Sequence, residues 1–177
     1  GFLPYRYEGY DEGLLLYLLA LGSPTHPLPP ESYNAYCATY QWKGIYGREL
    51  LYSGPLFTHQ LSHLWIDFRG IRDAFMRERG SDYFENTRQA TFVQQEYAVR
   101  NPLGFEGYGE HCWGITASDG PGWVKRAVNG VDREFYGYIA RGAPFGPDDG
   151  TVSPWVVVAS LPFAPEIVIP TVRQFAR

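Results

Sequence analysis

Leu14-Leu15-Leu16-Tyr17-Leu18-Leu19-Ala20-Leu21, reached through the acids Glu8, Asp11 and Glu12 and closed by Gly22-Ser23-Pro24, is the stretch that decides the fold class. An unbroken apolar run without alternation fits a helix that is apolar on every side, and such a helix belongs to a core. Gly22 stops it, and Pro24, Pro27, Pro29 and Pro30 carry the chain through a loop. The polar first turn is then the one place where this helix can meet solvent or a ligand. Glu8 with Glu12, or Glu8 with Asp11, stand one turn apart and form a candidate acid/base pair. Acids at a helix N-terminus also complement the macrodipole, so local pattern alone leaves capping as a competing role.

Working outward, Pro30 at a first helical position predicts a second helix over 31–40, with Tyr33, Tyr36, Cys37 and Tyr40 on one stripe. Gly44-Ile45-Tyr46-Gly47 breaks it. The spacing of Leu56, His59, His63, Ile66 and Asp67 predicts the longest helix, from Pro55 to about Arg79, with Gly70 as a point where it kinks or splits. Ser81 or Asp82 caps a fourth helix to about Arg100, ended by Asn101-Pro102. From Leu103 to Thr151 periodicity fades and glycine is dense, which predicts a long binding loop. Ser153-Pro154 opens a helix from Trp155 to about Leu161, and a last one follows Pro165 or Pro170. The expected class is all-α, in one domain over 1–177, with antiparallel helix pairs whose loops gather at one end.

Composition narrows the function. The chain has 177 residues, with 19 Asp and Glu against 15 Lys and Arg, and no basic run. That balance argues against nucleic acid or an anionic membrane as partner. Aromatics make up 17% of the chain, including 14 Tyr and 5 Trp. Sugar rings stack their C–H faces on such side chains while their hydroxyls seek short polar groups, so the composition suits a saccharide cleft, although a large aromatic core gives the same count. Cys37 and Cys112 are the only cysteines, without zinc spacing; pairing in an oxidising compartment and two isolated thiols both remain open. The apolar run Leu14 to Leu21 is too short to span a bilayer. A chain beginning at Gly1, with Met76 as its single methionine, is expected to be processed or to be a piece of something longer.

His59-Gln60-Leu61-Ser62-His63 has the spacing of a zinc-binding helix, but Gln60 stands where the general-base glutamate belongs, so no metal site is expected. Asp67 continues the same face four residues on, with Arg69 nearby. A buried, satisfied polar network competes there with a ligand-facing row. Trp113-Gly114-Ile115-Thr116-Ala117-Ser118-Asp119-Gly120-Pro121-Gly122 combines a ring, a carboxylate and flexible backbone, preceded by Glu106, Tyr108 and Glu110. Asp119 and Asp148-Asp149-Gly150 also read as turn residues. No serine-hydrolase elbow, phosphate loop or dinucleotide glycine pattern is present.

Glu12-Gly13 through Pro27, Pro55-Leu56-Phe57-Thr58-His59-Gln60, Trp65-Ile66-Asp67-Phe68-Arg69-Gly70, Asp82-Tyr83-Phe84, Trp113-Gly114-Ile115-Thr116-Ala117-Ser118-Asp119-Gly120-Pro121, Asp149-Gly150-Thr151 and Ser160-Leu161-Pro162-Phe163-Ala164-Pro165-Glu166 resemble, in order, motifs of the bacterial glycoamylase-like domain family. That resemblance implies an (α/α)6 toroid of which this chain is about the C-terminal half. It implies a glycoside hydrolase or transglycosylase acting on a β-linked glucan, with β-1,2-glucan foremost and no cofactor. Glu12 aligns with the family's essential glutamate, in Tyr10-Asp11-Glu12-Gly13, where Asp11 departs from the family's Asn or Ser. Tyr10, Trp65, Tyr108 and Trp113 are then expected as stacking platforms, and His59, Asp67, Arg69 and Asp119 as hydroxyl contacts. The other essential carboxylates are expected upstream, supplied by a preceding segment or a second chain, and this polypeptide alone is expected to be inactive or unstable. The expected compartment is periplasmic or extracellular. A non-catalytic saccharide-binding or scaffolding module is the rival reading.

Overall fold

The computed structural model describes residues 4–177. The helix α1 spans Gly13–Leu21, as the apolar run requires, and Gly22 closes it. Only Leu14 on it is buried, while Leu16 and Leu19 are 67% and 65% exposed. The expectation of a helix covered on all sides is therefore corrected: one face packs and the other is bare.

Pro29 and Pro30 lead into α2, Pro30–Cys37. The break expected after it is a β-hairpin instead, β1 (Trp42–Ile45) paired antiparallel with β2 (Arg48–Leu51). Its two-residue turn, Tyr46-Gly47, has φ of 52° and 74°, the double left-handed geometry that matches strand twist.

The long helix over 55–79 does not exist as one element. It divides into α3 (Leu56–Gln60), a 3-10 turn (Leu61–Leu64) and α4 (Ala74–Glu78). Gly70 adopts φ +73°, and Asp73 restarts the helix by accepting the Met76 N–H at 2.7 Å.

The spine is α5, Tyr83–Arg100, capped by Asp82 at Glu85 N–H and ended by Asn101 in the left-handed region. It packs against α3 and β2. Two polar residues on its buried face act as backbone clasps. Asn86 accepts Leu51 N–H at 2.6 Å and donates to Leu51 O at 3.2 Å. Gln94 accepts Ile115 N–H at 3.0 Å and donates to Gly54 O at 3.2 Å. These bonds satisfy strand and loop groups that would otherwise be buried and unpaired.

The region expected as loop holds two small sheets. β3 (Ala117–Ser118) pairs with β6 (Ile139–Ala140), and β4 (Val124–Val128) pairs with β5 (Val131–Phe135) across Asn129-Gly130. With the first hairpin this makes three two-stranded sheets among the described residues, so the all-α expectation is corrected to a mainly helical chain with antiparallel arms. The helices α6 (Pro154–Ala159) and α7 (Pro165–Phe175) pack on each other and close the core around Trp113, Val156, Val157 and Val168. No described helix is long and apolar enough to cross a membrane.

Candidate active site

The start of α1 is built by three local constraints. Gly9, at φ +88°, turns the incoming chain and donates its N–H to Thr39 Oγ1 at 2.7 Å. Asp11 Oδ1 accepts Gly13 N–H at 2.8 Å and the Tyr36 hydroxyl at 2.7 Å. Gly13 lies so close beneath Asp11 that a Cβ there would stand 2.7 Å from Oδ1. Between these fixed points sits Glu12, the residue preceding α1, whose side chain makes no capping bond. Glu8 is exposed and precedes the helix, so the capping work falls to Asp11 alone. Tyr7, Asp11, Glu12, Leu16, Tyr17 and Tyr36 surround an open cleft of about 330 Å³. Asp11 Oδ2 is buried there without a partner among the described residues.

Behind this cleft lies a tyrosine cluster that sequence reasoning did not assemble. Tyr10 is 3% exposed and packs on Tyr83, Tyr40 and His59. It is a wall of the core, and the stacking role expected for it does not fit that burial. Asp73 accepts the hydroxyls of Tyr83, at 2.6 Å, and of Tyr33. Burial and the bonds to Asp73 hold the Tyr33 and Tyr83 phenols well above the usual range, so both stay protonated donors.

His59 is likewise structural. It is 1% exposed, its Nε2 donates to Ser53 O at 3.2 Å, and its Nδ1 accepts from Asn86 Nδ2 at 3.3 Å. Burial pushes its pKa down to about 4, which keeps the ring neutral, and no hydroxyl contact to a ligand is open to it. His63 donates to Thr87 Oγ1 at 3.1 Å between the rings of Phe68 and Phe163, and burial pushes it down to about 4 as well. With both rings so engaged, the pair is not arranged as metal ligands, and the described residues hold no cluster of three His, Cys, Asp or Glu for an ion.

Asp67 and Arg69 form an exposed ion pair at 3.4 Å, and Trp65 beside them is 71% exposed. Asp67 and Arg69 border a second, larger and mainly apolar cleft of about 580 Å³, lined also by Gln60, Phe84, Trp155 and Val158. Glu12 is in the first cleft and not in this one.

The third group splits. Trp113 is fully buried and its Nε1 donates to Thr171 Oγ1 at 3.0 Å, which removes it as a stacking platform. Tyr108 is half-buried and donates to Asp148 Oδ1 at 2.7 Å, with Tyr97 donating to Oδ2 at 2.9 Å. Asp119 is exposed. Close by, Arg141 and Asp149 form a fully buried ion pair at 2.7 Å that the sequence reading took for part of a loop. Burial opposes ionisation of Asp149, but the Arg141, Thr151 and Tyr136 hydrogen bonds outweigh it and hold the carboxyl at about 2. Asp73, Asp148 and Asp149 carry no local signal beyond that of turn or cap residues; only their tertiary partners distinguish them.

The chain matches the Glycoamylase family, described as "Putative glucoamylase", over residues 4–177. It is 28% identical over 194 residues to the exo β-1,2-glucooligosaccharide sophorohydrolase (non-reducing end) of Parabacteroides distasonis, covering 96% of this chain and 24% of that protein. Among solved structures it resembles the endo-β-1,2-glucanase from Chitinophaga pinensis, in complex with sophorotriose and glucose, at a TM-score of 0.79 and 28% identity, covering 98% of this chain and 40% of that one. A β-1,2-glucanase from Parabacteroides distasonis gives a TM-score of 0.75 at 27% identity, covering 95% and 25%. The chain thus spans between about a quarter and two-fifths of the length of these relatives.

Proposed function

This chain belongs to the glycoamylase family, and from that premise we propose that the protein carrying it is a glycoside hydrolase acting on β-1,2-linked glucan, with Glu12 as its acid/base or nucleophile. The observation that carries the reading is the division of labour at the mouth of α1. Asp11 does the capping and holds Tyr36, which leaves the Glu12 carboxylate without a partner among the described residues, in a cleft bordered by three tyrosines. An uncommitted carboxylate among aromatic rings suits a sugar whose faces stack and whose glycosidic oxygen needs a proton.

Cleavage needs two carboxyl groups, one to protonate the leaving oxygen and one to activate water or attack the anomeric carbon. They stand about 5–5.5 Å apart in retaining enzymes and about 6.5–9.5 Å apart in inverting ones. Asp11 is tied to Gly13 and Tyr36, so we assign the second carboxylate to the remaining part of a helical toroid, of which this chain supplies one arc. Two observations support that assignment: the relatives are longer, and apolar side chains such as Leu16, Leu19, Trp155 and Val158 are bare. We propose the periplasm or the extracellular space as its compartment, because a polymeric glucan does not cross a membrane unaided.

The test is to incubate the full-length protein, and separately residues 1–177, with linear β-1,2-glucan and follow products by chromatography. Release of short oligosaccharides by the full-length protein and none by residues 1–177 is expected. Binding without product by the full-length protein would replace the hydrolase with a saccharide-binding module, and turnover by residues 1–177 alone would remove the need for a second carboxylate from elsewhere.

A further inference from the structure

Trp123 stands at the foot of the β4–β5 arm, 70% exposed, with one edge of its ring in contact with the chain. Its pyrrole edge rests on Gly137, where an added Cβ would lie 2.6 Å from Nε1 and 3.1 Å from Cδ1. Tyr136 meets the ring at 5.6 Å and 68°, and Gly122 N–H donates to Tyr136 O at 3.3 Å, tying the two stretches of chain beside the indole.

Both stretches are anchored to one buried group. Arg141 donates from Nη1 to Ser118 O at 2.7 Å and from Nη2 to Tyr136 O at 3.0 Å and Gly137 O at 3.2 Å, while Asp149 accepts from Arg141 and from Tyr136 N–H at 2.9 Å. At Gly120 a Cβ would collide with the Arg141 guanidinium and the Tyr136 carbonyl, so the chain passes against the pair too closely for any side chain. A dry ion pair costs desolvation that hydrophobic packing does not, and is weak evidence for stability as such. Here it fixes irregular backbone, and what that backbone presents outward is a flat indole.

We infer that Trp123, seated on Gly137 and held through the Arg141–Asp149 pair, is a fixed stacking platform for a glucosyl ring of the substrate. The inference rests on the glucan-hydrolase reading above. A pyranose offers one face of C–H bonds that an indole covers well, and a ring that already rests on Gly137 and Tyr136 has less freedom to lose when the sugar arrives than one with no contacts. Trp123 takes no part in bond breaking; it is a binding residue that Arg141 and Gly137 position.

The experiment uses the full-length protein with Trp123→Ala, Trp123→Phe and Gly137→Ala. KM and kcat are measured on linear β-1,2-glucan, and the Kd for sophorotriose is measured calorimetrically in a Glu12→Gln background. Trp123→Ala should raise KM and Kd roughly three- to tenfold, the scale of one aromatic contact, with kcat little changed. Trp123→Phe should recover most of the loss. Gly137→Ala, which pushes the indole off its seat, should raise KM in the wild type and add nothing in the Trp123→Ala background. Unchanged KM and Kd in Trp123→Ala would overturn the platform while leaving the hydrolase reading intact. Equal loss of melting temperature in Trp123→Ala and Trp123→Phe, with no recovery of KM by Phe, would overturn it as a merely structural residue. A wild-type protein that neither binds nor cleaves β-1,2-glucan would overturn both.

Discussion

The Tyr36 hydroxyl donates to Asp11 Oδ1 at 2.7 Å and accepts the Asp11 backbone N–H at 3.2 Å, so one phenol holds both ends of the residue beside Glu12. Burial and the bond to Asp11 keep the Tyr36 phenol protonated far above neutral pH, so it remains a donor to Asp11 at and above neutrality. A tyrosine from the next helix thus fixes the residue that precedes the proposed catalytic glutamate.

Tyr36→Phe removes the clasp and keeps the ring. In the full-length protein kcat should fall about tenfold, since one hydrogen bond is worth ~1 kcal/mol and the misaligned acid adds to it. KM should move less and the melting temperature only slightly. Steady-state kinetics on β-1,2-glucan check this, and an unchanged kcat would show that Glu12 needs no such support.

Folding stability should fall as pH drops from about 6.5 to about 4. His59 is held neutral in the folded state by burial, with a pKa of about 4, whereas in the unfolded chain it titrates near 6.5. Its folded value is depressed, so the unfolded state binds the proton first; stability is full above 6.5 and is lost towards 4, on the order of 3 kcal/mol from His59. Urea unfolding at pH 7 and pH 4.5 measures it. His63, also held at about 4 by burial, adds its own share, so His59→Gln should lower that slope without abolishing it, and an identical slope in the variant would remove His59 as a source.

Breaking the Arg141–Asp149 pair from one side should be costly. Asp149→Asn leaves the guanidinium buried and uncompensated, at a cost of about 3–5 kcal/mol. The wild-type carboxyl, held at about 2, contributes stability that is present above the unfolded value near 3.9 and is lost as pH falls towards 2. Denaturant melts of wild type and Asp149→Asn should therefore differ widely at pH 7 and converge below about pH 2.5.

Leu16 and Leu19 test the proposal that the rest of the protein covers α1. Residues 1–177 expressed alone should bind a hydrophobic dye and self-associate, and Leu16→Glu with Leu19→Glu should reduce both. The same pair in the full-length protein should lower its melting temperature, because there a buried charge replaces packing. A full-length protein indifferent to both substitutions would leave this face exposed in the native state.

Elements with explicit end signals were legible in the sequence. Asp82 with Asn101 bounds α5, Gly22 ends α1, and Pro30, Pro154 and Pro165 open α2, α6 and α7. The helix over 55–79 misled because three separate short segments happen to repeat apolar and polar residues at helical steps, and only Gly70 and Asp73 betray the break. Asn129-Gly130 was a readable hairpin turn within a stretch taken for loop. At the site, the acids at the mouth of α1 could be read locally, but which of them caps and which is free depended on Tyr36. Trp113 and Tyr10 were read as platforms because an aromatic residue in a Gly-rich stretch does not announce whether it faces in or out. Trp123 faces out, and its seat is made by residues 14 and 18 positions further on, Gly137 and Arg141.

The central claim is tested most directly by kcat of the Glu12→Gln full-length protein on linear β-1,2-glucan, beside its far-ultraviolet circular dichroism and melting temperature. A fall of at least about a hundredfold with the fold unchanged is expected for a general acid, base or nucleophile. Near-normal turnover by the folded variant would contradict the account and return Glu12 to the role of an ordinary polar residue at the start of a helix.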